Sequence, residues 1–287
     1  MRDRCFIGKG REPPFFFPQG GKIPVQSIFN IKVIIIKPII HFLLCGVVIT
    51  FVLKEINHIM KLFVIEGVDG AGKSTQIKLL RDFFSKKGYN CEYLHFPRTE
   101  APYFGELIAR FLRGEFGSLN DVDPYLVAML YAGDRKDASE VISNWLNDGK
   151  IVLLDRYTYS NIAYQCAKLQ EITAQDELMR WILSLEFNHF AIPQPDLNIF
   201  LDVPFAFTEK KLLNERTGDD RTYLNGTRDI HEESLVFQKK VRDIYLRVAK
   251  SDDRLAVVDC SNSNGEILTP DEIFNLIERI FADRKLI

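Results

Sequence analysis

Cysteine is scarce and poorly spaced for cross-linking. Five of the 287 residues are cysteine, at 5, 45, 91, 166 and 260, an odd number with no C-x-x-C pair. A zinc site or a disulfide framework needs closer spacing, so free thiols in a reducing compartment, the cytoplasm, are expected. An excess of either charge is also missing: 37 lysines and arginines stand against 39 aspartates and glutamates, for a formal net charge of -2. Broad nucleic-acid binding needs a basic surface, so it is not expected, and any phosphate partner must be held by local groups. No internal repeat is present, and after Met60 there is no low-complexity tract or linker. The long apolar segment "IFNIKVIIIKPIIHFLLCGVVITFVL" (28–53) is broken by Lys32, Lys37, Pro38 and His41. Its unbroken part after Pro38 falls short of the ~20 residues a membrane-spanning helix needs. No small-residue cleavage site follows it, which argues against a secretory signal. Residues 1–59 read first as an extension outside the folded protein, with a membrane anchor and a packed or targeting segment as the alternatives; Met60 is then the start of the working chain and 60–287 one domain.

Downstream of Met60, short apolar runs alternate with helical patterns. The strand candidates are "LFVIE" (62–66), "CEYLHF" (91–96), "IVLLD" (151–155), "LNIFLD" (197–202) and "LAVVD" (255–259). Helical patterns fill about 74–87, 103–113, 123–147, 160–168, 174–190, 204–214, 231–250 and 271–283. This alternation predicts an α/β fold, a parallel five-stranded sheet with helices on both faces, which the phosphate loop described next makes one of P-loop NTPase type. Ligands of such sheets bind beyond the carboxyl ends of the strands, which gathers Gly67 onward, Phe96 to Thr99 and Asp155 to Tyr157 on one rim.

"VIEGVDGAGKSTQ" (64–76) carries the strongest motif. Gly67, Gly72, Lys73 and Ser74 fit G-x-x-x-x-G-K-[ST] between an apolar strand and a helical pattern. Glycine lets successive N–H groups turn around phosphate oxygens, and the helix that follows adds the positive end of its dipole. Lys73 is placed to reach the β- and γ-phosphates of ATP, and the Ser74 hydroxyl to ligate Mg2+.

Three further stretches lie on or near the same rim. "DRYTYSNIAYQ" (155–165) ends a strand with a carboxylate suited to hold magnesium through water, Asp155, beside an arginine able to grip a phosphate, Arg156. A surface ion pair or a helix cap would look the same. "FPR" (96–98) points a cation at the rim, and "AMLYAGDRKD" (128–137) puts Tyr131 four residues before Arg135 on one helical face. The last stretch, "NERTGDDRTYLNGTRD" (214–229), reads as a lid whose arginines close over a transferring phosphate, or as an ordinary solvated loop.

These motifs, in this order over about residues 60–285, resemble thymidylate kinases. The resemblance implies transfer of the γ-phosphate of ATP to dTMP, and it carries over by position. Gly67, Val68, Asp69, Gly70, Ala71, Gly72, Lys73, Ser74 and Thr75 would bind ATP, and Asp69 would also lie between donor and acceptor phosphates. Arg98 and Arg156 would hold the dTMP phosphate, with Phe96 beside them. Tyr131 would stack on thymine, Arg135 would bond its carbonyl oxygen, and Ser160, Asn161, Tyr164 and Gln165 would line the base and deoxyribose, Tyr164 barring a 2′-hydroxyl. Ser74 and Asp155 would serve the magnesium ion. Gly70 stands where some family members carry an arginine, so the catalytic arginine is expected in the lid, as Arg216 or Arg221, acting with Asp69, Lys73 and Arg156. By the same analogy a homodimer is expected. A GTPase-type switch is disfavoured, because no N-K-x-D guanine-reading motif follows the loop.

Overall fold

The computed structural model describes residues 61–213, 224 and 235–287. Five strands form one parallel sheet: β1 (Lys61–Glu66), β2 (Cys91–His95), β3 (Ile151–Asp155), β4 (Leu197–Asp202) and β5 (Leu255–Asp259), in the order β2-β3-β1-β4-β5. The helices are α1 (Lys73–Lys86), α2 (Phe104–Leu112), α3 (Pro124–Asn147), α4 (Thr158–Cys166), α5 (Ile172–Leu183), α6 (Phe205–Leu213), α7 (Leu235–Ala249) and α8 (Pro270–Asp283). A π-helical turn, Ser184–His189, extends α5.

The sheet buries both faces because β1 is apolar on both. Phe63 and Ile65 face one side, where Phe63 packs its ring on Phe84 of α1 at 6.0 Å and on Phe281 of α8 at 4.8 Å. Leu62 and Val64 face the other, in a cluster with Ala138, Ile142 and Leu146 of α3. A run without polar alternation is what a strand covered on both sides requires. The strand positions follow the sequence expectation closely.

Local chemistry sets the helix starts that matter for the rim. Asp123 caps α3 by accepting from Tyr125 N at 2.8 Å, with Pro124 as its first residue. Thr269 and Glu272 form a capping box on α8. Helix α1 has no side-chain cap; it opens from Gly72 in the left-handed region at φ 83°. No helix among the described residues is long and apolar enough to cross a membrane.

Candidate active site

Above the carboxyl ends of β1, β2 and β3 lies a cavity of about 670 Å³. One end is walled by Asp69 through Gln76, the other by residues of α3 and α4. Backbone geometry makes the first end. A Cβ on Gly67 would come within 3.1 Å of the Ala71 Cβ, so the close approach of the loop to itself disfavours a side chain there. Ser74 and Thr75 are exposed at the uncapped start of α1, where helix N–H groups and dipole favour an anion. Lys73 is buried and donates to the carbonyls of Gly67 at 3.4 Å and Val68 at 3.3 Å, folded back over its own loop.

Side chains make the second end. Arg156, at the close of β3, takes φ 67°, a strained backbone for a side chain of its size. Its Nη2 donates to Asp69 Oδ1 at 2.6 Å and to the Tyr164 hydroxyl at 3.2 Å, and its Nη1 donates to Ser160 Oγ at 3.2 Å. Burial alone would lower its pKa, but Tyr164 and Asp69 hold it well above its ordinary value, so the guanidinium stays charged. Asp69 completes the knot: its Oδ2 accepts from Tyr164 at 2.6 Å and from Gln238 Nε2 of α7 at 2.9 Å.

Beneath that knot Glu66 is fully buried at the end of β1. It accepts from Tyr157 N at 3.0 Å, Ser160 Oγ at 2.5 Å and the Tyr245 hydroxyl of α7 at 2.8 Å, tying the strand end to α4 and α7. Burial pushes its pKa up, against the lowering effect of these donors and of Arg156. Asp155 is pushed the other way. Burial raises its pKa, yet the hydrogen bond of His95 and the charge of Lys73 outweigh that and leave it lowered. Its Oδ2 lies 3.4 Å from His95 Nδ1, while its buried Oδ1 has no hydrogen-bond partner among the described residues. An orphaned carboxylate oxygen and the Ser74 hydroxyl, both lining the cavity, are the hard oxygen donors a magnesium ion takes while keeping most of its waters.

Phe96, Tyr131, Arg135, Asn161, Tyr164 and Gln165 all line the cavity. Arg135 is fully buried and pairs with Glu186 through two 2.6 Å bonds. Arg98 is placed differently. Its N and Nε donate to the Asp134 carboxylate at 2.9 and 2.8 Å, and its Nη2 to Asp137 at 2.5 Å, so it latches the loop after β2 onto α3 and is not part of the cavity wall. Arg216 and Arg221 lie outside the described residues. Glu66, Glu186, Gln238 and Tyr245 were not singled out from sequence. Of these only Glu66, an acid ending an otherwise apolar strand, carried a readable signal; the others sit in helical stretches where a polar residue ordinarily faces water.

Residues 65–269 match the family model described as thymidylate kinase. A probable thymidylate kinase of Thermococcus onnurineus is 35% identical over 226 residues, covering 77% of this chain and 98% of the relative. The thymidylate kinase of Mycobacterium tuberculosis is 33% identical over 189 residues, covering 66% of this chain and 85% of the relative. Among solved structures, a thymidylate kinase of Candida albicans superposes with a TM-score of 0.59 at 27% identity, covering 78% of this chain and 92% of that one.

Proposed function

Because this chain belongs to the thymidylate kinase family, we propose how the residues along its cavity divide the reaction it carries out, the phosphorylation of dTMP by ATP. Gly67 to Thr75 hold the ATP phosphates at one end. Arg156 grips the dTMP phosphate at the other, with Tyr131 against the thymine ring, Arg135 and Asn161 on its edge, and Ser160, Tyr164 and Gln165 around the sugar. Asp69 lies between the two ends and keeps Arg156 aimed. Arg98 acts from behind, by fixing the loop that carries Phe96 to α3. The observation that carries this reading is the single cavity with a phosphate loop at one end and a buried, charged arginine at the other.

The acceptor is a phosphate monoester with a second pKa near 6, hence mostly dianionic at pH 7. It is already nucleophilic, so in-line transfer needs no protein base. What the protein supplies is alignment of two anions and neutralisation of charge on the moving phosphoryl group, by Lys73 and by Arg216 or Arg221 of the lid. Ser74 and Asp155 would hold magnesium, which when bound would offset negative charge on the phosphates. We place the protein in the cytoplasm, consistent with free thiols at Cys91, Cys166 and Cys260. We also propose a homodimer, supported by Leu126, Met129 and Val141 exposed on α3 and Ile172 and Trp181 on α5.

The test is ADP release by protein starting at Met60, with ATP, magnesium and each of dTMP, dUMP, UMP, CMP and AMP. A strong preference for dTMP is expected, and would also make residues 1–59 dispensable for turnover. Preference for another monophosphate would overturn the substrate assignment while leaving the phosphoryl-transfer chemistry.

A further inference from the structure

Within this thymidylate reading, on which the following rests, one fully buried carboxylate still lacks a task. Glu186 sits on the π-helical turn after α5. Its Oε1 accepts from Arg135 Nη2 at 2.6 Å and from Asn161 Nδ2 at 2.9 Å. Its Oε2 accepts from Arg135 Nε at 2.6 Å and from Thr158 Oγ1 at 2.8 Å. Every partner is a donor, so the group acts as an anionic hub for two residues of the base wall.

The consequence falls on Asn161. Its Nδ2 also meets the Ala128 carbonyl at 3.0 Å. Both neighbours of that amide end are acceptors, so NH2 must face them and Oδ1 must point away. That oxygen is buried, has no hydrogen-bond partner among the described residues, and belongs to a residue lining the cavity. Arg135 is held by the same carboxylate through Nε and Nη2, which leaves its other N–H donors for the cavity it lines. The wall thus presents an acceptor together with a donor. A pyrimidine with N3–H beside a C4 carbonyl matches that order. Cytosine, with an acceptor N3 beside an amino group, opposes it at both atoms.

We infer that Glu186 is a positioning residue that sets the hydrogen-bonding polarity of the base wall, so that the pocket takes 4-oxo pyrimidine monophosphates and rejects cytosine ones. A glutamine at 186 would offer one acceptor and one amino group, leaving the Ala128 carbonyl as the one fixed acceptor that orients the Asn161 amide.

The test is Glu186→Gln in the full chain, with kcat and KM measured for dTMP and dCMP. The expected result is a rise in KM for dTMP of about tenfold with a smaller change in kcat, and a fall of at least about tenfold in the dTMP-to-dCMP ratio of kcat/KM. An unchanged ratio, with both substrates weakened in proportion, would mean that Glu186 only packs, and overturns the inference. Should Glu186→Gln fail to fold by circular dichroism, Asn161→Ser takes its place, because it removes the pinned oxygen and leaves the Arg135–Glu186 pair. The same fall in ratio is then expected, and a constant ratio is equally fatal. The wild-type chain in the same assay separates the two levels. If it is inert with dTMP, the thymidylate reading falls and takes this inference with it; if it is active and neither variant moves the ratio, the inference falls alone.

Discussion

The two ends of the cavity are built on different principles. At the donor end, a contiguous stretch of chain does the work: backbone N–H groups, one lysine resting on its own loop carbonyls, and a helix start with no side-chain cap. At the acceptor end, Arg156 and Arg135 each arrive paired, with Asp69 and Glu186 respectively, and those carboxylates are tied in turn to Gln238, Thr158 and Asn161. The reason lies in what each end is made of. The donor end is built from the backbone of one loop, whereas the acceptor end is built from long cationic side chains of separate elements, and a guanidinium taken out of water needs a counter-charge beside it. Carboxylates therefore hold the acceptor-end arginines in place, while local backbone shapes the donor end.

That contrast predicts that donor-end changes alter turnover and leave stability alone, while acceptor-end changes alter both. The largest effect is expected for Lys73→Met, which should lower kcat by on the order of 10³ or more with the melting temperature nearly unchanged. Retained turnover would show that charge on the moving phosphoryl group is neutralised elsewhere. Next comes Arg156→Lys. It keeps the charge but loses the fork that reaches Asp69, Tyr164 and Ser160 together. A loss of roughly 10- to 100-fold in kcat/KM for dTMP is expected, accompanied by a lower melting temperature. A purely kinetic effect would break the comparison.

The smallest effect comes from a residue at neither end. Lys168 has a buried Nζ without a hydrogen-bond partner among the described residues, 4.7 Å from the centre of the Phe111 ring. Burial lowers its pKa from 10.5 to about 7. Here the unfolded chain binds the proton more tightly, so this group makes stability rise with pH between about 7 and 10.5, and its penalty is at full strength below pH 7. Lys168→Met should raise the melting temperature by a few degrees at pH 7, with a gain that shrinks toward pH 10 and no change in turnover. A gain independent of pH would mean that the lysine is charged in the folded state throughout.

The same division separates what could be read in the chain from what could not. Gly67 to Thr75 are adjacent in sequence, and the residue types there form a local pattern: glycine for a close turn, a lysine and a hydroxyl suited to the phosphate and metal proposed above, an apolar strand before and a helix after. The parallel sheet was legible for a similar reason, since strands covered on both faces must be apolar throughout. Arg98 was legible as a cation at the rim, but its direction was not, because Asp134 and Asp137 claim it from another helix. Glu186 and Gln238 were silent, since a polar residue within a helical pattern reads as a solvent-facing one until packing buries it. The sequence by itself thus determined the phosphate loop, the sheet and the positions of the rim residues, all consequences of short-range backbone and burial rules. Only the tertiary structure decided which charges meet, because a buried ion pair forms across elements whose separation along the chain carries no trace of their contact.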